Sequence, residues 1–446
     1  YGNNIDELID SLLEEFLPYD VREAVVYQAK IVIGGMVTDN TRDHGVTYTN
    51  NGAIRVIPTK EDMQLPVNVT MSVAEDNSTS FTVNWFTKYS VTGTDIEVVK
   101  ADESFTGTAT TQNVTAKTEE TTYSAPGFDL GKYAILPWTH KVIKHTVTVT
   151  GLEAETDYKF TIGDFSKGFT TEGTITTAPD EDGEFTFIHV SGGAGYIPSQ
   201  YESFKNVMNK ADELYPNSSF TVHTSSLTKV PTNDDQWSFA INAAEEQFSS
   251  KPSVYASGEY DSEGGYAAEK YFPVPFAPEQ MSDTGLYYSY DYANAHFTVL
   301  NTNLITEGGT LTAAQTLWLK NDLAESDALW NILIMTESIY GSSSSSALHQ
   351  QIVGIMEEYD IDLILQGKDT MYVRTDYIRD DAPVLYEIKT VKINGTRYPA
   401  YSDAKGTVAV ISGTAGKDFA GEAPSGVYYD VVSDYGLPMF SAITIK

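Results

Sequence analysis

The chain has 446 residues, of which 41% are hydrophobic and 12% aromatic, and its formal net charge is −34. This length predicts two or three domains. The net charge argues against binding to nucleic acid or to anionic membrane surfaces, because both require basic patches. The chain has no cysteine, which excludes a disulfide framework and thiolate chemistry. No apolar run approaches the length of a membrane span.

Residues 1–64 predict a helical N-terminal segment. Apolar residues recur at helical spacing from Ile5 to Phe16 and again from Val21 to Ile33. Residues 36–64 have loop and short-strand character, with a turn at Asn51-Gly52. An exposed apolar helix stripe needs a partner surface. The segment therefore either packs against its own chain or serves as an assembly element.

Residues 65–179 change to the two-residue period of strands and predict a β-sandwich. A Gly151-Leu152 turn followed by Tyr158 at the start of a strand is typical of a tyrosine corner. With Trp85 as a core aromatic residue, the segment resembles a fibronectin type III-like domain. The insert from Ala101 to Pro137 is longer than an ordinary hairpin connection.

Residues 180–446 alternate strands and helices and predict an α/β domain. Capping pairs predict helix starts at Ser199, with Glu202, and at Thr312, with Gln315. Six strands are predicted: Phe185–Val190, Phe220–Thr224, Ser253–Ala256, His296–Leu300, Asn331–Met335 and Ile361–Leu365.

One loop in this domain contains the residues that most clearly indicate a functional site. The apolar strand ending at Leu365 is followed by Gly367-Lys368-Asp369-Thr370 and then by Met371-Tyr372-Val373-Arg374-Thr375. Loops after the carboxyl ends of strands are where sites form in α/β sheets. This stretch resembles the last metal-binding motif of the calcineurin-like metallophosphoesterases, and most of all the purple acid phosphatase branch, where it is Gly-His-Asp-His.

The resemblance implies a fold class and a site. Purple acid phosphatases carry a fibronectin type III-like domain before a metallophosphoesterase domain, which is a β-sandwich flanked by helices. We therefore predict a multidomain chain with these two domains after the helical segment. The family's site is a binuclear metal centre whose carboxylates and imidazoles converge from five strand ends. We call these five positions the ligand stations.

Every ligand station of this chain departs from the family pattern. The replacements, in chain order, are Gly192 and Ala194, then Ser225-Ser226, then Glu259-Tyr260 after Gly258, then Thr336, and finally Lys368 and Thr370. No expected histidine or bridging aspartate remains. The resemblance therefore implies a pseudoenzyme without catalytic residues and without a bound transition metal.

Acidic residues near the stations leave two interpretations open. Glu259, Glu337 and Asp369, together with Asp261, could hold one hard cation such as Ca²⁺, and acidic surface loops could do the same. Alternatively, Glu259, Glu337 and Asp369 could pair with Lys368, whose ammonium would supply the charge that the metals once gave. We favour the pairing, because unpaired buried carboxylates are costly.

The functional prediction is a non-catalytic, extracellular pseudo-phosphatase that forms a homopolymer as a structural subunit of a surface or filament. The Thr-, Ser-, Tyr- and Gly-rich composition and the start at Tyr1 predict an extracellular or cell-surface protein after removal of a signal peptide. Two alternatives remain. One is a monomeric binding protein for a glycan or a phosphate-bearing ligand, and the other is a divergent active phosphoesterase.

Overall fold

The computed structural model describes residues 46–48, 54–56 and 64–446, apart from 126–137, 181–182, 263–266, 277–280, 283–284, 343–345, 385, 387, 394–395, 402–404, 417–423, 425–427 and 434–435. The two helices predicted over residues 1–35 lie outside the described residues. Strands β1 (Val46–Tyr48) and β2 (Ile54–Val56) form an antiparallel pair, in agreement with the short-strand prediction. The turn predicted at Asn51-Gly52 also lies outside the described residues.

The N-terminal β domain is a sandwich of two antiparallel layers. One layer contains β3 (Val67–Ser72), β4 (Phe81–Lys88), β7 (Trp138–Val149) and β6 (Val114–Ala125), and the other contains β5 (Asp95–Lys100), β8 (Asp157–Asp164) and β9 (Phe169–Thr176). Trp85 is fully buried between the layers. The tyrosine corner is present, because the backbone N–H of Glu153 donates to the Tyr158 hydroxyl at 3.0 Å. Strand β6 pairs with β7 over twelve residues and accounts for much of the long insert.

The C-terminal domain contains two sheets packed face to face. The first has β10 (Phe185–Val190), β11 (Thr221–His223) and β12 (Ser253–Tyr255) in parallel, with β26 (Ser441–Ile445) antiparallel to β10. The second has the order β15 (Tyr288–Tyr292), β16 (Ala295–Val299), β17 (Trp330–Met335), β18 (Leu363–Gln366), β24 (Val408–Ser412), β19 (Tyr372–Thr375) and β25 (Tyr429–Ser433). Three hairpins complete the set: β13 (Met281–Ser282) with β14 (Gly285–Leu286), β20 (Tyr377–Arg379) with β21 (Ala382–Val384), and β22 (Ile388–Ile393) with β23 (Thr396–Tyr401).

Helices cover the outer face of each sheet. They are α1 (Glu202–Leu214), α2 (Asp234–Ala243), α3 (Glu245–Phe248), α4 (Ala267–Tyr271), α5 (Ala313–Glu325) and α6 (Ser346–Glu358), with 3-10 turns at Pro198–Tyr201 and Tyr260–Ser262. Helices α1 to α4 share a core with the first sheet, and α5 and α6 share one with the second. Between the sheets, Phe187 and Phe220 pack against Phe297. The predicted β-sandwich flanked by helices is confirmed.

The two predicted helix starts have different outcomes. Thr312 caps α5, and its hydroxyl accepts a hydrogen bond from the Gln315 backbone N–H at 3.3 Å. The predicted start at Ser199 is wrong, because α1 begins at Glu202 with Tyr201 as its N-cap. Pro198 instead opens a 3-10 turn, since its fixed φ suits the first position of a helical turn. No helix in the described part of the chain is long and apolar enough to cross a membrane.

The two domains share a sheet. Ser72 of β3 pairs with Ser253 of β12, which joins one layer of the sandwich to the first sheet as eight continuous strands. A buried polar cluster supports this junction. Asp234 of α2 accepts hydrogen bonds from Lys270 Nζ at 2.7 Å, from the Tyr271 hydroxyl at 2.6 Å and from the backbone N–H of Ser124 in β6 at 2.5 Å.

Candidate functional site at the carboxyl ends of the strands

The loops that carry the ligand stations converge at one edge of the paired sheets. A Cβ atom added to Gly367 would lie 1.6 Å from the Thr224 carbonyl oxygen, and one added to Gly258 would lie 2.2 Å from the Ser226 backbone nitrogen. The second, third and fifth stations are therefore in direct contact, at glycines that no larger residue could replace. Both glycines stand where the resemblance places them.

The first station lies in an unusual backbone conformation. Gly192 has a φ of +74°, and a Cβ there would meet the Thr414 hydroxyl oxygen at 2.5 Å. Left-handed backbone of this kind favours glycine. Ala194 is half-buried beside it. Neither residue offers an atom that could bind a metal through its side chain.

The second and third stations form a hydrogen-bonded contact with each other. Ser226 is buried, and its hydroxyl accepts a hydrogen bond from the Tyr260 backbone N–H at 3.0 Å. Ser225 is half-buried at the end of β11. The ammonium of Lys229 lies 4.6 Å from the centre of the Tyr260 ring, a cation–π distance. Tyr260 therefore serves as a platform for a cation from its own chain.

The fourth station holds the third in place. Thr336 is buried, and its hydroxyl donates to the backbone carbonyl oxygens of Ala256 and Ser257 at 3.1 and 3.0 Å. Where the family has a metal-binding imidazole, this chain has a bond between two loops.

Lys368 forms the charged centre of the site. Its Nζ lies 2.5 Å from Glu337 Oε1 and 3.6 Å from Glu259 Oε2. Partial burial disfavours the ammonium, but the hydrogen bond to Glu337 and the charges of both carboxylates outweigh this and raise the pKa of Lys368. The backbone of Lys368 is left-handed, with a φ of +67°. Lys368 thus forms ion pairs with Glu259 and Glu337, two of its three predicted carboxylate partners.

The third predicted partner, Asp369, binds elsewhere. Its carboxylate accepts hydrogen bonds from the Ser338 hydroxyl at 2.9 Å and from the backbone N–H and hydroxyl of Ser342 at 3.0 and 2.5 Å. The prediction that Asp369 could pair with Lys368 is corrected accordingly, since its nearest donors belong to the loop after β17. The hydroxyl of Thr370 is buried and has no hydrogen-bond partner among the described residues.

Two further residues organise the site without standing at a station. Asp261 is buried and accepts hydrogen bonds from the Thr228 hydroxyl, the Tyr255 hydroxyl and the Gly258 N–H, while burial raises its pKa to about 6. The Asn303 side chain donates to the carbonyl oxygens of Ser257 and Gly258 at 2.9 and 3.1 Å. Asn303 was not singled out as a site residue, although its position just after a strand could have indicated it.

His189 lies beneath the site, near the end of β10. Its Nε2 lies 2.8 Å from the Thr224 hydroxyl and its Nδ1 lies 2.7 Å from the Ser412 hydroxyl. Complete burial lowers its pKa to about 3, so the ring is neutral at physiological pH. Both ring nitrogens are engaged inside the fold, and the residue acts as a structural link.

These residues do not fit a binuclear transition-metal centre. The stations present glycine, alanine, hydroxyl groups and an ammonium, whereas such a centre needs several imidazoles and a bridging carboxylate. The carboxylates of Glu259 and Glu337 face Lys368, whose charge opposes a cation between them. Among the described residues, no group of three or more His, Asp or Glu side chains is arranged to hold a metal ion.

Comparison with known proteins relates this geometry to a family. Residues 66–177 match the family of purple acid phosphatase N-terminal domains. Purple acid phosphatase 23 from Arabidopsis thaliana is 24% identical over 347 residues, which cover 69% of this chain and 74% of the relative.

Solved structures show the same fold over both domains. Purple acid phosphatase PPD1 from yellow lupin (Lupinus luteus) matches with a TM-score of 0.66 at 17% identity, covering 86% of this chain and 70% of that one. The structure of PhoD matches with a TM-score of 0.54 at 12% identity, covering 86% of this chain and 85% of that one. The chain is therefore purple acid phosphatase-like, with that family's N-terminal domain followed by a domain of metallophosphoesterase fold.

Proposed function

We propose that this protein is an extracellular, non-catalytic relative of the purple acid phosphatases that serves as a self-assembling structural subunit. The observation that carries the first half is the Lys368 ammonium, which lies 2.5 Å from Glu337 at the station where the family has metal-binding histidines. The other stations either lack donor atoms or use their hydroxyl groups to join loops. This arrangement supports a site that has become part of the structural framework.

A direct test combines elemental analysis with an activity assay. The purified protein should contain no stoichiometric iron, zinc or manganese and should not hydrolyse a generic phosphomonoester, with or without added metal. Lys368→His should not restore turnover, because the bridging position Ser226 still offers only a hydroxyl. Stoichiometric metal together with metal-dependent turnover would instead establish a divergent active phosphoesterase.

The second half of the proposal, self-assembly, is supported by the N-terminal segment. Residues 1–64 precede the part of the chain that matches the family, and their sequence has two apolar stripes at helical spacing. The chain also carries a strong net negative charge, so divalent cations or salt should favour assembly by screening repulsion.

Light scattering and electron microscopy test this role. The full-length protein should form large particles in the presence of calcium, and deletion of residues 1–59 should reduce their size or abolish them. A protein that stays monomeric at high concentration with calcium would contradict the role. Equal assembly of the truncated protein would exclude the N-terminal segment as its cause. Saturable binding of a glycan or phosphate compound by a monomer would favour a binding protein.

A further inference from the structure

We propose that the basic hairpin β22–β23 of one copy adds to the edge of strand β15 in the next copy, at the part of that edge around Ser289. This proposal rests on the proposed self-assembly and identifies a second contact besides the N-terminal segment. The hairpin and the edge of β15 are separate surfaces, so each can be changed by mutation without altering the other.

The acceptor is an edge strand whose open side can be assigned from its register. Strand β15 pairs with β16, and on its other side the described chain adds the single bridge between Asp76 and Asp291. Tyr292 faces Ala295 across the two-residue connection Ala293-Asn294, and a connection of this kind is closed by a hydrogen-bonded pair. Hydrogen-bonded and open pairs alternate in an antiparallel ladder. The N–H and C=O groups of Asp291 and Ser289 therefore point away from β16.

A hydrogen bond from the N-terminal β-sandwich confirms that the Asp291 backbone groups point away from β16. The Asp291 carbonyl oxygen accepts a hydrogen bond from the Asn77 side chain at 3.0 Å, and Asp76 forms a parallel bridge with Asp291. A cavity of about 260 Å³ lies beside β15, lined by four consecutive residues, Tyr288 to Asp291, together with Glu75, Phe276, His296 and Trp318. Successive side chains of a strand point to opposite faces, so a cavity lined by four consecutive residues reaches the strand's edge, and His296 of β16 shows that it also extends over one face of the sheet. The open backbone groups of Ser289 thus face a space that an added strand can enter.

The charge of this edge defines what it can accept. Glu75 lines the cavity and is exposed, and the Asp291 side chain is 71% exposed, with His296 Nδ1 at 2.7 Å from its carboxylate. Trp318 and Phe276 add aromatic side chains to the lining of this cavity. An extended strand that carries lysine or arginine is complementary to this surface in both backbone and charge.

The chain itself supplies such a strand. In a sequence with 62 acidic and 28 basic residues, β22 reads IKTVKI and β23 reads TRYPAY, with three basic residues and no acidic one. Lys389, Lys392 and Arg397 are exposed, and within the described residues the two strands pair only with each other. An isolated two-stranded hairpin is marginally stable in water.

The cross-strand register of the hairpin favours an acidic partner. Lys392 lies directly opposite Arg397 in the ladder. Like charges at facing positions destabilise a strand pair, and a surface carrying carboxylates removes that cost. The hairpin and the β15 edge are different surfaces of one chain, so the contact is head-to-tail and can propagate as an open filament.

Charge reversal on each surface tests the proposal in the full-length protein. Lys389→Glu with Lys392→Glu should raise the concentration needed for assembly at least tenfold, measured by light scattering in calcium-containing buffer. Lys205→Glu with Lys210→Glu on α1 makes the same charge change at exposed positions and should leave that concentration unchanged. Glu75→Lys, which leaves the Asp291–His296 ion pair intact, should impair assembly as the hairpin variant does. An equimolar mixture of the hairpin and edge variants should assemble, because each then offers the complement of the other.

The outcomes separate the two proposals. If the wild-type protein assembles and the hairpin variant assembles at the same concentration, the hairpin contact is wrong while self-assembly stands. If the wild-type protein remains monomeric at high concentration with calcium, both proposals are wrong. Loss of assembly in both variants without recovery in the mixture would also overturn the pairing of these two surfaces.

Discussion

At the scale of single residues, Lys368 combines an unfavourable backbone with a favourable charge contact. Its left-handed φ of +67° costs a non-glycine residue about 1 kcal/mol. Its ammonium joins Glu337, whose side chain is only 19% exposed, and the more exposed Glu259. Replacing Lys368 with an uncharged residue leaves the mostly buried Glu337 carboxylate without a counter-charge. The resulting loss of stability is larger than the contribution of an ordinary surface ion pair.

Lys368→Met should therefore lower the free energy of unfolding by about 1–2 kcal/mol, measured by urea denaturation. Lys368→Gly should lower it less, because glycine relieves the backbone conformation while losing the same ion pair. Lys205→Met on the exposed face of α1 is the control and should have little effect. If Lys368→Met matches that control, the Lys368 cluster contributes nothing to stability.

His296 gives the protein a pH-dependent contribution to stability. Its Nδ1 lies 2.7 Å from Asp291 Oδ1 and its Nε2 lies 3.0 Å from Asp322 Oδ2. Burial alone would lower the pKa of His296, but the two hydrogen bonds and the carboxylate charges raise it to about 9. An unfolded histidine titrates near 6.5. The stabilisation is thus complete below about pH 6.5 and is lost as pH rises through about 9.

His296→Gln should remove that contribution. The difference in unfolding free energy between wild type and variant should be about 1–3 kcal/mol larger at pH 6 than at pH 9.5, measured by denaturant titration at both pH values. Taking the difference cancels groups that titrate equally in both proteins, such as Lys144, whose pKa burial lowers to about 8. A difference that does not change with pH would show that His296 is neutral in the folded protein.

At the scale of elements, the loop after β10 has a backbone that favours glycine at the first ligand station. Gly192 is left-handed, and its position leaves no room for a Cβ beside Thr414. Restoring an aspartate there would strain the backbone and push against that hydroxyl. An aspartate at this position would therefore require the loop to change its backbone conformation.

We expect Gly192→Asp to destabilise the protein by about 1–3 kcal/mol, measured by thermal or chemical unfolding. Ala194→Asp adds the same charge in the same loop at a residue with ordinary backbone and should cost less. Neither variant should bind iron, zinc or manganese. Equal stability of Gly192→Asp and wild type would show that the loop relaxes freely.

The sequence predicted the elements of this fold better than the connections within the site. The alternating strands and the tyrosine corner at Tyr158 follow from local pattern. The partner of Asp369 does not, because Ser338 and Ser342 reach it from another strand's loop. The start of α1 was missed for a local reason, since Pro198 opens a 3-10 turn before it. Side-chain partners across loops depend on tertiary geometry that periodicity does not contain.

At the scale of the whole molecule, the net negative charge opposes the proposed assembly. A formal charge of −34 repels other copies of the chain, so any assembly needs localised contacts of opposite charge or screening ions. The hairpin β22–β23 is the kind of local basic surface that such an assembly requires. A polymer built this way would respond to ionic strength in two directions, because salt weakens both the general repulsion and the specific attraction.

The sheet shared by the two domains has a thermodynamic consequence. Eight strands continue across the junction at Ser72 and Ser253, and the buried Asp234 cluster ties β6 to α2 and α4. Opening the N-terminal domain alone would take the Ser124 N–H from Asp234 and the Thr122 carbonyl from Lys270, and opening the C-terminal domain alone would leave β3 without its partner β12. We expect one heat-absorption peak in calorimetry, with calorimetric and van't Hoff enthalpies equal over both domains. Two separated peaks would mean that each domain melts independently.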